Sequence, residues 1–202
     1  MTHPFHTIEP CNSSFIEEII EHHKNGNQLS SPLLKLLNNE ITEEIHAKDQ
    51  LVQIYVAGHG GIDKNIREWY NQDVQLAREE IGRLPEVNMN AIDYICNYLK
   101  PVTSNIDVGV TIVDLMEKLS NRLLLIFAES ERFFNHPTGI QIHGYLKNKE
   151  IIHLIELIEK GEWSVSEEEP FEEGVVFLLR HLRTHLRSAK RNGHGLWLRS
   201  HS

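Results

Sequence analysis

The run from Leu123 to Phe134, LLLIFAESERFF, closes an apolar stretch by presenting Glu129 and Arg132 three residues apart. On a helix that interval stacks two side chains on one face, about 5–6 Å apart at Cβ. A carboxylate and a guanidinium on an apolar helix are costly to bury unless both are satisfied or put to use. The pair is therefore either a structural ion pair between helices or the polar centre of a site. Two further sets of residues have chemistry to offer. His181 and His185 have the i, i+4 interval at which two imidazoles can share a metal ion, although a solvent-facing pair explains them as well, and no HExxH pattern organises the 13 histidines. Cys11 and Cys96 are the only cysteines. They lack metal-ligand spacing and argue against a disulfide framework and a zinc site. The expectation is a protein with no metal and no cofactor, in a reducing compartment.

The segment that must hold Glu129 and Arg132 reads as a helix. Ile112, Leu115, Met116, Leu119, Leu123, Ile126 and Phe127 recur at intervals of three and four, with Asp107 or Thr111 to open the run and Phe134 to close it. Leu123 to Ala128 is apolar on every side, which predicts a central, buried position; a short buried strand fits the same residues. Helices are also predicted over Phe15 to Lys24, stopped by Asn25-Gly26, and over Pro32 to His46 behind Ser31. Ile66 to Leu84 (Trp69, Val74, Leu76, Ala77, Ile81) is helical by periodicity, and Asn90 caps a helix that Pro101 terminates. Lys149 to Lys160, ended by Gly161, and Val175 to Lys190, followed by a Gly-His-Gly turn and a tail, complete the helices. Leu51 to Ala57 (LVQIYVA) is the best strand, and Gln141 to Tyr145 is a second. These elements predict an α+β fold, a predominantly helical domain around a central buried helix with a small β-sheet in the N-terminal half. At 202 residues, one domain is expected, with an N-terminal helical part (1–50), a core (51–165), and a C-terminal helix with a basic tail (166–202).

Composition sets outer bounds. Forty per cent hydrophobic and 24% charged residues are ordinary for a soluble globular protein. No run of about 18 apolar residues predicts a membrane span, so no membrane partner is expected. The opening MTHPFHTIEP lacks a basic segment followed by an apolar one. The expected place of action is therefore cytoplasmic, in the producing cell or in a target cell reached as an effector by a signal-independent route. The formal charge of −9 disfavours general nucleic-acid binding. The charge is uneven, however. Arg180 to Arg199 is strongly basic and Glu162 to Glu173 is acidic, so the basic stretch could meet a phosphate backbone or an acidic partner, or be a solvated helix face.

The segment from Arg122 (RLLLIFAESERFF) resembles the active-site helix of ribosome-inactivating proteins, the RNA N-glycosidases that include ricin A chain and the Shiga toxin A subunit. Their pattern is an apolar helix leading into Glu, two mostly small residues, Arg and an aromatic, which Glu129-Ser130-Glu131-Arg132-Phe133 matches except at Glu131. Trp163, after Leu157 to Glu162, stands where the family has a Trp about thirty residues beyond the Arg. Tyr70 to Ala77 (YNQDVQLA) has the form of the helix that the adenine-stacking Tyr opens, and Ile54 to His59 (IYVAGH) resembles the family's Tyr-Val-x-Gly-aromatic strand. The resemblance runs from about Leu51 to Trp163. It departs from the family in a shorter chain, in the lack of room for a hairpin between Tyr55 and Tyr70, and in the acidic charge balance.

What the resemblance implies is depurination of ribosomal RNA by a toxin or effector, which would inhibit translation. Arg132 would donate toward adenine N3, and Glu129 would stabilise oxocarbenium charge on the ribose and position the attacking water. Tyr70, with Tyr55, would hold the unstacked base between aromatic faces. Trp163 would pack behind the Glu–Arg helix and fix its rotamers. The partners implied are the ribosome, its RNA and its ribosomal proteins. Two other classes compete. The strand running into His59-Gly60 is similar to the His-Gly motif of caspase-like cysteine peptidases, with Cys96 as nucleophile, although Ile95 stands where that family has an acidic residue. A non-enzymatic helical effector, immunity or interaction protein is the third; it predicts Glu129 exposed, or locked to a structural partner with no cavity beside it.

Overall fold

The computed structural model describes residues 5–31, 33, 54–56, 80–81, 91–102, 110–127 and 141–201. In chain order they form β1 (Phe5–Cys11), α1 (Ser13–Asn25), β2 (Ile54–Val56), β3 (Glu80–Ile81), α2 (Ala91–Tyr98), β4 (Leu99–Pro101), α3 (Ile112–Phe127), β5 (Gln141–Leu146), α4 (Asn148–Lys160), β6 (Trp163–Val165), α5 (Gly174–Asn192) and β7 (Gly195–His201). The fold is a mixed α+β arrangement of helices with small sheets. The expected helix over Pro32 to His46 lies almost wholly outside the described residues.

Local chemistry accounts for the helix ends. The Asn12 side chain accepts the Ser14 N–H at 3.1 Å to start α1, and Gly26, at φ 70°, ends it in the left-handed conformation that an L side chain resists. Thr111 and Asp114 close a reciprocal cap on α3: the Thr111 N–H donates to Asp114 Oδ2 at 2.7 Å, and the Asp114 N–H donates to Thr111 Oγ1 at 3.1 Å. The Thr111 N–H and the Thr111 hydroxyl, both donating to Asp114 Oδ2, hold the Asp114 carboxyl below its ordinary pKa. Of the two openings expected for this helix, Thr111 is the one used.

The larger sheet has the order β3-β2-β1-β7-β5. β2 and β3 run parallel, and the other neighbours are antiparallel. A second, two-stranded sheet pairs β4 with β6. This corrects the expected sheet of the N-terminal half. The stretch expected to trail as a tail is β7, which lies between β1 and β5 and pairs with β1 from Phe5↔His201 to Cys11↔Gly195. Glu80 and Ile81, read by periodicity as part of a helix, form β3 instead, beside Tyr55 and Val56. A two-residue strand has no period of its own, and its state is set by the neighbour it pairs with.

Along β7 the side chains alternate across the sheet, as strand geometry requires. Leu196 and Leu198 enter the larger core cluster, with Ile8, Leu146 and the inner faces of α2, α3, α4 and α5. Trp197, fully buried, enters the smaller one, with Cys11, Ile142, Tyr145, Leu123 and the α1 residues Ile16 and Ile19. At a register irregularity in β5, Gly144 lets α3 approach the sheet backbone to backbone: a Cβ there would lie 2.3 Å from the Leu119 carbonyl oxygen and 2.4 Å from that of Lys118.

Candidate active site

The helix that runs toward Glu129 is α3. Ile112, Leu115, Met116, Leu119 and Leu123 are all buried along one stripe, and the helix packs on β5, α2, α4 and β7. Its described part runs to Phe127. Glu129, Arg132, Tyr70 and His59 lie outside the described residues. Tyr55 is in β2, where its backbone is opposite Thr7 on one side and Glu80 on the other.

Arg122 fixes the helix to its neighbour. Its Nη1 donates to both carboxylate oxygens of Glu150, at 3.0 and 2.8 Å, and its guanidinium carbon lies 4.5 Å from the centre of the Tyr145 ring. Lys118 Nζ approaches the same carboxylate at 3.6 Å. Glu150 also caps α4, accepting the Lys147 N–H at 2.9 Å. Burial alone would raise the Glu150 pKa, but the Lys147 N–H, Arg122 and Lys118 together outweigh it and hold the carboxyl below its ordinary value. A carboxyl depressed in the folded state contributes stability above its unfolded pKa, and that contribution is lost as pH falls through the folded value. Arg122→Met should cost about 1–3 kcal/mol at neutral pH, the scale of charged hydrogen bonds. In thermal melts, the gap between variant and wild type should narrow once the pH drops below about 4, beneath the ordinary carboxylate pKa. A gap that stays constant down to acid pH would assign the loss to packing rather than charge.

The sequence reading missed this Arg122–Glu150–Tyr145 cluster, because its members come from three elements and the ion pair spans 28 positions. The one signal available was Lys147-x-x-Glu150, the spacing of an N-terminal cap.

Trp163 lies among the described residues. It starts β6 opposite Pro101, is half-buried, and its Nε1–H donates to the Ile158 carbonyl at 3.2 Å. It packs on the larger core cluster at the C-terminal end of α4, whereas Arg122 is tied to the N-terminal end. The 13 residues of α4 separate those ends by about 20 Å. Leu123, next to Arg122, belongs to the smaller cluster.

Cys96 lies on α2, half-buried, with its thiol pushed up to about 12 by burial and then by the charges of Glu117 and Asp93. A thiol in that setting is protonated at neutral pH, the reverse of what a nucleophile needs. Cys96→Ala should leave activity within about twofold of wild type. Alkylation of native protein by iodoacetamide at pH 7.5 should be slower at Cys96 than for an unperturbed thiol of pKa about 8.5; rapid labelling there would contradict this environment.

The two histidines at i, i+4 spacing have different surroundings. His181 stacks on Phe177 with ring centres 4.2 Å apart and turns Nδ1 toward the Phe177 carbonyl at 3.0 Å, while His185 is buried. Among the described residues no group of three His, Cys, Asp or Glu side chains is placed to hold a metal ion. No helix among them is long and apolar enough to cross a membrane. No protein-family model matches the chain, and no curated protein or solved structure matches it.

Proposed function

We propose that this protein is an adenine N-glycosidase acting on ribosomal RNA. The observation that carries the reading is the position of α3: the apolar helix leading into Glu129 is the buried helix between the sheet and α2 and α4, as expected of a helix delivering a catalytic acid to the domain's centre. The ordered series Tyr55, Tyr70, Glu129, Arg132 and Trp163 supports it from the sequence. The protonated, half-buried Cys96 favours it over the cysteine-peptidase alternative.

In this mechanism the C1′–N9 bond of an exposed adenosine breaks with its electron pair going to the base. Arg132 neutralises the charge building on the adenine ring by donating at N3. Glu129 stabilises the oxocarbenium ion and orients a water. That water gives its hydroxyl to C1′, and its remaining proton balances the departing base, so free adenine and an abasic ribose result. Tyr70 and Tyr55 hold the unstacked base, and base–aromatic stacking contributes roughly 1–3 kcal/mol per base. Trp163 packs behind the Glu–Arg helix and fixes its rotamers. The partner is the ribosome, with ribosomal proteins near the attacked loop as secondary contacts, and the place of action is the cytosol that holds it. The deciding experiment is chromatographic detection of free adenine from intact ribosomes incubated with the full chain. No release, beside a working positive control, ends the proposal.

A further inference from the structure

The solvent-facing side of α5 is a second functional feature. Between Gly174 and Asn192 the helix has five basic residues, Arg180, Arg183, Arg187, Lys190 and Arg191, and no acidic one, in a chain whose formal charge is −9. At 3.6 residues per turn these five fall within an arc of about 100°. The opposite arc, with Val175, Leu178, Leu182, Leu186 and Ala189, is buried in the core, so the basic arc is held outward by the packing of the whole domain. Arg187 is engaged by Glu159 of α4. The ion pairs among the described residues do not include Arg180, Arg183, Lys190 or Arg191. Phe177, 48% exposed, borders the arc at its N-terminal end.

From this face we infer that α5 is the surface on which the backbone of a structured RNA docks, placing the RNA for the reaction proposed above; the choice of RNA rests on that reading. The charge pattern fits a polyanion rather than a small acid. Five cations lie in one row from Arg180 to Arg191, about 17 Å along the helix. Arginine outnumbers lysine four to one, and its planar fork matches phosphate oxygens two at a time. Phe177 offers a flat apolar ring of the kind on which an unpaired base stacks. The acidic remainder of the chain disfavours RNA elsewhere, so this basic face also sets orientation.

The test is fluorescence anisotropy with a 5′-fluorescein-labelled RNA stem–loop carrying adenine in its loop, using the full chain across a salt series. Four phosphate contacts predict a log–log slope of about −3 to −4, a loss of roughly a hundredfold in affinity between 50 and 200 mM salt. In the combined variant Arg180→Gln, Arg183→Gln, Lys190→Gln and Arg191→Gln the slope should collapse toward zero, with circular dichroism and melting temperature unchanged. On ribosomes the same variant should raise KM at least tenfold and leave kcat in place. A flat wild-type slope, an unchanged variant, or tight binding of a glutamate-rich peptide in place of the RNA overturns the inference. Salt-dependent RNA binding lost in the variant, with no adenine released by wild type, leaves this docking face standing and removes the catalytic reading. Adenine release with an unaltered KM in the variant does the reverse.

Discussion

Glu129→Gln should reduce adenine release from ribosomes by roughly a hundred- to a thousandfold, the loss typical of removing one preorganised charge from a developing ion. Glutamine keeps the size and the hydrogen-bonding reach of the side chain, so what disappears is the negative charge opposite the oxocarbenium carbon. The rate should fall in kcat with KM little changed, because the stabilised charge exists only near the transition state. Arg132→Ala should have an effect of similar size by the complementary route, leaving the departing base without a donor. The neighbouring Glu131→Gln is the informative control. It removes a carboxylate one residue from the Arg without touching either assigned role, and its effect should stay within about tenfold. Single-turnover release of adenine, with melting temperature measured alongside, reads all three. Equal rates for Glu129→Gln and wild type would separate this segment from the chemistry altogether.

A second large effect belongs to Gly144. An alanine methyl there would fall 2.3 Å from one backbone carbonyl oxygen of α3, 2.4 Å from the next, and 2.7 Å from the Leu119 carbonyl carbon. All three atoms are main chain, so no rotamer change relieves the overlap. Either α3 lifts from β5 or the strand shifts. The lift is opposed by the buried stripe from Ile112 to Leu123 and by the Arg122–Glu150 pair. A cost above about 3 kcal/mol is expected, against a total stability of about 5–15 kcal/mol for a typical domain. The corresponding drop in melting temperature is about 6–12 °C for a chain of this size. Gly26→Ala offers the contrast. Its Cβ would meet nothing within 4 Å, and only the φ of 70° opposes it, a penalty of about 1–2 kcal/mol. If Gly144→Ala melts within about 2 °C of wild type, the close seating of α3 on the sheet is wrong.

What could be read in the sequence follows the range of the interactions involved. α1, α3, α4 and α5 were legible because their signals are local: apolar residues at intervals of three and four, Asn25-Gly26 and Gly161 at the ends, Thr111 with Asp114 at a start. β2 and β5 announced themselves by short β-rich runs. β1 and β7 did not. FHTIEPC contains a proline and mixes polar with apolar residues, and GLWLRSH follows a basic helix and reads as its tail. Each is held by partners distant in sequence, above all by the other, and that partnership joins residues 5–11 to 195–201. The candidate site divides in the same way. Glu129 and Arg132 offered a spacing on one predicted helix and lie outside the described residues. The Arg122–Glu150–Tyr145 cluster was not, since an ion pair between α3 and α4 becomes visible only once both helices have been packed on the sheet.

The pairing of Thr7 with Arg199 has a bearing on how the protein comes into being. Vectorial synthesis at about 5–20 residues per second leaves β1 without its partner for roughly 10–40 s after it has left the ribosome. Throughout that interval β1 can meet β2 and α1 but not β7, and the helices made in between can assemble before the sheet can close. A nascent chain of this protein is thus committed to late closure, and holdase chaperones acting on its first dozen residues should influence yield more than those acting on its last.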